Sequence, residues 1–212
     1  AEPFNAPDGL RPQVISIVGR NYGGRVMSKE KMVSSYQLKI TLRGSRPPIW
    51  RRFVVPDTIT LPELHEVIQI VMGWTDSHLH EFVVGRVSYG VPDPEFPSGP
   101  RNEARVRINR LLDKEKQKLM YLYDFGDGWE HVVELEKIII GDKASSKPIC
   151  ITGKRACPPE DCGGIYGYYD FLEAIKDSDH PEHDNMIEWW GGDFDPEFFD
   201  MEEVNEILSS LE

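Results

Sequence analysis

From Tyr36 onward apolar and polar residues alternate: Tyr36, Leu38, Ile40 and Leu42 fall on one side, Gln37, Lys39, Thr41 and Arg43 on the other. A period of two predicts a half-buried strand with a polar outer face. Pro47 and Pro48 cannot donate to a ladder, so a second strand is expected over 49–55, paired with the first as a hairpin across residues 44–48. The period then changes. Leu61, Leu64, Val67, Ile68 and Val71 form a helical stripe, and both ends of that helix are marked. Thr60 with Glu63 makes a capping box, Ile59 and Leu64 a hydrophobic staple, and Gly73 a stop. A further strand is expected over 79–84, a Pro/Gly-rich loop over 90–100, and two strands over 119–125 and 129–140 around Gly126-Asp127-Gly128, a tight-hairpin signal.

A cysteine-bearing loop follows, and the last third reads as helices over 168–176, 181–190 and 201–211. The last is the most clearly marked: Asp200 as N-cap with Glu203, the staple Phe199/Val204, and the stripe Val204, Ile207, Leu208 and Leu211 agree on one register. Strands with one inserted helix, then a helical tail, predict an α+β fold with a mainly antiparallel sheet covered by an acidic C-terminal helical segment. Residues 1–34 read as an extension with one short strand at 14–18, and residues 35–212 as a single domain.

Composition places the chain among globular proteins: 212 residues, 40% hydrophobic and 28% charged, are enough to bury a sizeable core. No apolar run approaches the roughly 18 residues of a membrane helix, and the first residues lack the pattern of a signal peptide, so a cytoplasmic protein without membrane contact is expected. Charge changes the picture more. Residues 1–156 hold 23 Lys+Arg against 19 Asp+Glu, and residues 157–212 hold 1 against 17. The acidic quarter is unsuited to a phosphate backbone, whereas the basic strip Lys39, Arg43, Arg46, Arg51 and Arg52, and a second cluster Arg101, Arg105, Arg107 and Arg110, offer an anion-binding face. The competing reading is that these arginines pair with the acidic helices of the same chain.

Candidate chemistry gathers in a few places. Cys150, Cys157 and Cys162, an odd number within a short stretch, do not make a disulfide framework; with His180 and His183 at the start of a helix they are candidate zinc ligands, against the alternative of small buried hydrophobes. His131 alternates with Trp129, Val133 and Leu135 on the expected inner face of its strand, where it either ligates a metal or bonds a carbonyl or carboxylate. His78 and His80 share a face near Asp76, a candidate metal or acid/base pair. Asp124, Asp127 and Glu130 at the hairpin tip are candidate cation ligands, although the spacing is not that of a calcium loop. No dinucleotide, Walker, nucleophile-elbow or zinc-protease motif is present.

Longer strings carry a resemblance. Tyr36-Gln37-Leu38-Lys39-Ile40-Thr41-Leu42, Arg46-Pro47-Pro48-Ile49-Trp50-Arg51-Arg52, Leu64-His65, Gly73-Trp74 with His78-Leu79-His80-Glu81-Phe82, Tyr123-Asp124-Phe125-Gly126-Asp127-Gly128-Trp129-Glu130-His131 and Cys157-Pro158-Pro159-Glu160-Asp161-Cys162-Gly163-Gly164 resemble, in order and spacing, the plasmid pRiA4b ORF-3-like family. His180-Pro181-Glu182-His183 and the segment from Gly192 to Asp200 match its closing motifs, so the resemblance spans about 35–208. It implies an α+β domain of bacteria and archaea, in some members a passenger of plasmids and insertion elements, with no activity to transfer. Some relatives carry a resolvase-like label, which no serine-recombinase constellation in this chain supports.

Two expectations follow. The first is a non-enzymatic module that binds protein or nucleic acid in a mobile-element setting, through loop motifs and basic strands, with Arg46, Trp50, Arg51, Arg52, Trp74, Trp129 and Glu130 as its contact residues. The second is a metal-dependent enzyme of hydrolase type that holds its cation with some of His78, His80, Asp124, Asp127 and His131. A structural zinc at the cysteine loop is a third element compatible with either.

Overall fold

The computed structural model describes residues 34–95 and 97–211. The strand expected at 14–18, and nearly all of the extension expected over 1–34, lie outside them. Eight strands form one sheet: β1 (Ser34–Leu42), β2 (Trp50–Pro56), β3 (His80–Val84), β4 (Val87–Gly90), β5 (Arg101–Asn102), β6 (Lys118–Tyr123), β7 (Trp129–Ile140) and β8 (Ile149–Lys154). Their spatial order is β5-β4-β3-β6-β7-β1-β2-β8. Every pairing is antiparallel except the short β4/β5 contact. Four helices complete the fold: α1 (Leu61–Met72), α2 (Gly164–Lys176), α3 (His183–Trp190) and α4 (Met201–Ser209). The architecture is the α+β one expected, and none of the described helices is long and apolar enough to cross a membrane.

Alternation decides which face is buried. Leu42, His131 and Tyr121 form one cross-strand row, and Arg51, Ile40, Val133 and Leu119 the next, so the whole row system faces α1 and the core. α1 supplies Leu61, Leu64, Val67, Ile68 and Val71 to that core, each side chain contributing about 1.5–3 kcal/mol by leaving water. Its ends behave as the sequence predicts. Thr60 and Glu63 form a reciprocal capping box, and Gly73 closes the helix in the left-handed region, its N–H donating to the Gln69 carbonyl. In α4 the Asp200 carboxylate accepts from the N–H groups of Glu202 and Glu203, and the helix packs on β8 and α1.

Several expectations are corrected. Residues 149–154, expected as part of a cysteine loop, form the edge strand β8, because Cys150 pairs opposite Phe53 and packs inward. β4 and β5 fall at the ends of the expected 90–100 loop. α2 starts at Gly164 rather than residue 168, because Gly163 takes the left-handed N-cap conformation before it. Two arginines of the first basic strip pair with glutamates of β7 rather than with the acidic helices: Arg43 with Glu130, and Arg52, reaching across β1, with Glu136 in two bonds of 2.6 and 2.8 Å. Glu136 stands at a bulge where the β1/β7 register shifts, which also lets Gln37 reach it at 2.8 Å. These bonds, those from Arg52 first, hold the Glu136 carboxyl below its ordinary range.

Candidate functional site

Three loops meet beyond one end of β6: the α1–β3 connection at 73–79, the β6–β7 hairpin at 124–128, and the segment 155–163 that leads into α2. Trp74 begins the first. Its ring is 7% exposed and stacks on Tyr123 with centroids 4.9 Å apart, while its indole N–H donates to the Pro158 carbonyl at 3.2 Å. Trp74 is therefore a clamp between loops, not an exposed contact residue. Glu160 adds a second tie, accepting from the Tyr123 hydroxyl and from Thr75 Oγ1, both at 2.5 Å. Tyr123 in turn accepts from the Ser77 N–H at 3.0 Å. Burial first, then the adjacent Glu160, raises the Tyr123 pKa, so the phenol stays protonated and donating.

Those ties set His78, Asp124 and Asp161 around one point. His78 Nε2 lies 3.4 Å from Asp161 Oδ1 and 3.8 Å from Asp124 Oδ2. The nitrogen is buried and has no hydrogen-bond partner among the described residues. The Asp124 side chain is only 9% exposed; its Oδ1 accepts from the Gly126 N–H at 2.8 Å, which aims Oδ2 at the imidazole. One ligand atom from each of the three lies within 4.8 Å of the other two. A metal bound at roughly 2.0–2.2 Å in tetrahedral geometry separates its ligand atoms by about 3.3–3.6 Å, so the cluster is close to a coordinating arrangement. One imidazole and two carboxylates suit manganese, iron or zinc better than calcium or copper(I). Asp76, Asp124 and Asp161 all hold positive φ (56°, 54° and 59°), three of the five described non-glycine residues that do, so the left-handed backbone is concentrated in the loops around this cluster.

A second network adjoins it. His65 and His80 stack with centroids 3.5 Å apart and planes 9° from parallel. The Asp76 carboxylate can only accept, so neutral His65 donates Nε2–H to it at 2.6 Å, its Nδ1 accepts from the Tyr121 hydroxyl at 2.7 Å, and that hydroxyl accepts from Gln69 Nε2 at 2.8 Å. Burial, then the neighbouring His80, lowers the His65 pKa. His80 Nε2 meets Glu103 at 3.0 Å, and the second oxygen of that buried glutamate is unpaired among the described residues. His65, Asp76, His78, His80 and Glu103 all line a cavity of about 490 Å³.

The remaining candidates disperse. His131 is fully buried, with Nδ1 3.2 Å from the Tyr121 carbonyl, and burial pushes its pKa down to about 4. Asp127 accepts from the Gly163 N–H at 3.2 Å and ties the hairpin to the α2 loop instead of joining the cluster. His183 Nδ1 bonds the Ala174 carbonyl at 2.9 Å, and His180 Nδ1 accepts from the Glu182 N–H at 3.1 Å. Cys162 and His180 line one cavity of about 350 Å³, yet the cysteines enter no group of three potential ligands among the described residues. Burial pushes the Cys162 thiol up to about 12 and also raises those of Cys150 and Cys157.

Of the expected contact residues, Arg51 is 1% exposed and donates to the carbonyls of Val71, Trp50 and Lys154, so it is a core residue. Trp129 is buried too. Trp50 lies on the outer face beneath Lys39 and Arg52, Arg46 is exposed, and Glu130 is taken up by Arg43. Asp161, Glu160, His65 and Glu103 were not among the residues singled out from the sequence. Asp161 stands in a matched motif string, but nothing local distinguishes it from the other acids of the C-terminal quarter.

Fold and site together define an α+β protein whose loops build a His/Asp cluster beside a histidine-lined cavity. The chain belongs to the plasmid pRiA4b ORF-3-like protein family, which it matches over residues 34–203. It is 40% identical over 184 residues to an uncharacterised protein of Sinorhizobium fredii, covering 85% of this chain and 93% of that one. It is also similar to the crystal structure of a protein of unknown function from Methanosarcina mazei, with a TM-score of 0.73 and 39% identity, covering 81% of this chain and 98% of that one.

Proposed function

We propose that this protein is a divalent-metal-dependent enzyme of hydrolytic type, with the cation held by His78, Asp124 and Asp161. The observation that carries this reading is His78 itself. Its buried Nε2 has two carboxylates as near neighbours and no hydrogen bond among the described residues, while His78 is also among the residues lining the cavity of about 490 Å³. A cation held by three protein ligands would keep a position for water, lower the pKa of that water and make it a nucleophile. His80, held by Glu103, faces the same cavity and supplies the acid/base group that a leaving group needs. The cavity volume suits a small-molecule substrate.

The basic strip over 39–52 supports nucleic-acid binding less well. Arg51 is buried, and Arg43 and Arg52 are paired with Glu130 and Glu136, whereas Arg101, Arg105, Arg107 and Arg110 are exposed and enter no ion pair among the described residues. Isothermal titration with Mn²⁺ and Zn²⁺ tests the proposal. One cation per chain is expected, with affinity falling at least about tenfold in His78→Ala and in Asp161→Asn. Unchanged affinity in both variants, or no binding by the wild type, refutes it.

A further inference from the structure

A groove of about 610 Å³, separate from the cavity beside the metal cluster, runs between the C-terminal end of α1 and the chain from Trp190 to Ile207. Met72, Phe194 and Val204 contribute to its apolar lining. At its edge Trp190, Phe198 and Ile207 are 42%, 58% and 45% exposed, a concentration of large apolar side chains that is costly to leave in water and marks binding surfaces. The rim has one sign of charge: Asp193, Asp195, Asp200 and Glu203. Asp195 and Asp200 accept backbone N–H bonds, whereas the carboxylates of Asp193 and Glu203 have no hydrogen bond or ion pair among the described residues.

The groove's own cation does not neutralise that rim. Arg51 lies in the floor, its guanidinium bonded to three backbone carbonyls and centred 4.0 Å from the Phe199 ring. A ligand that fills this groove must therefore bring apolar bulk to the floor and positive charge to the edge. Aromatic faces at the entrance favour the same chemistry, since they attract cations.

We infer that the groove docks a segment of another protein in which a large apolar side chain is flanked by lysine or arginine. The occupant is a peptide segment rather than nucleic acid, because phosphates would meet only carboxylates at the rim.

The test uses the full chain and three labelled synthetic peptides: an amphipathic helix with leucine and tryptophan on one face and lysines on its flanks, a scrambled peptide of the same composition, and a copy with glutamate for lysine. Fluorescence anisotropy at physiological salt is expected to show the patterned basic peptide binding at least about tenfold more tightly than either control. Trp190→Ala should weaken it about tenfold, as loss of an aromatic anchor does. The double variant Asp193→Asn/Glu203→Gln alters only rim charge, and should weaken binding about fivefold while the far-UV circular dichroism stays unchanged.

Equal binding of the scrambled peptide would reduce the effect to attraction by a chain of net charge −12 and overturn the proposal. So would absence of binding, indifference to the rim variant, or sedimentation showing a dimer that Trp190→Ala converts to monomer. His78→Ala should leave peptide binding intact, which separates this surface from the metal cluster.

Discussion

Gly164→Ala probes how the site is held together. Gly164 opens α2 with φ +69°, and a Cβ added there would sit far inside van der Waals contact with the Asp127 carbonyl oxygen on the β6–β7 hairpin. Left-handed backbone costs an alanine about 1–2 kcal/mol. Forcing a carbon into an occupied position costs about 1–3 kcal/mol more, and reduced freedom of the unfolded chain returns about 0.4–1 kcal/mol. The net destabilisation is about 1–5 kcal/mol, a fall in Tm of about 2–20 °C for a domain of this size. Gly85→Ala is the matched control: φ is +62° and nothing lies within 4 Å of the added carbon, so it should lose only about 1 kcal/mol.

The collision has a functional consequence as well. Relieving it separates the hairpin that carries Asp124 from the loop that carries Asp161, and with it two of the three ligand groups. Thermal melts and Mn²⁺ titration of both variants read the two effects together. Gly164→Ala should melt well below Gly85→Ala and bind Mn²⁺ at least about tenfold more weakly than it. Equal melting temperatures, or full Mn²⁺ affinity in Gly164→Ala, would show that this contact does not hold the two loops together.

Three further predictions follow from buried polar groups. His131 takes a proton near pH 6.5 when unfolded but resists it to about pH 4 when folded, so stability should decline as pH falls across that window. Denaturant titrations should show up to about 1.4 kcal/mol lost per pH unit in the wild type beyond that seen in His131→Leu; equal slopes would contradict the burial assigned to this imidazole. Arg51→Met leaves the carbonyls of Val71, Trp50 and Lys154 without their donor, and should cost about 3 kcal/mol by chemical denaturation; a loss under about 1 kcal/mol would show those bonds to be expendable. Glu160→Gln weakens the acceptor shared by Tyr123 and Thr75, and should reduce Mn²⁺ affinity several-fold with little change in melting, because it positions the loop without belonging to the cluster.

Local signals were legible where one segment decides its own structure. Thr60, Glu63 and Gly73 bound α1, and the Gly126-Asp127-Gly128 turn joins two strands, because caps and turns are settled by neighbours in sequence. Pairing decided β8, which its flanking Pro148 and its Gly153 disguised as loop. Arg51 shows a signal that was present but outweighed: Trp50 and Arg52 point outward, so alternation alone placed Arg51 inward, against the expectation that a charge faces water. The site was half visible. His78 and Asp124 were identified from residue type, while Asp161 and Glu103 come from distant segments whose approach depends on how loops dock, as through Trp74 and Pro158.

Anomalous diffraction from crystals soaked in Mn²⁺ would locate the cation proposed between His78, Asp124 and Asp161. One strong manganese peak is expected within about 2.0–2.4 Å of His78 Nε2 and of an oxygen from each aspartate. A map without a peak there, in crystals that carry manganese elsewhere or nowhere, would contradict it.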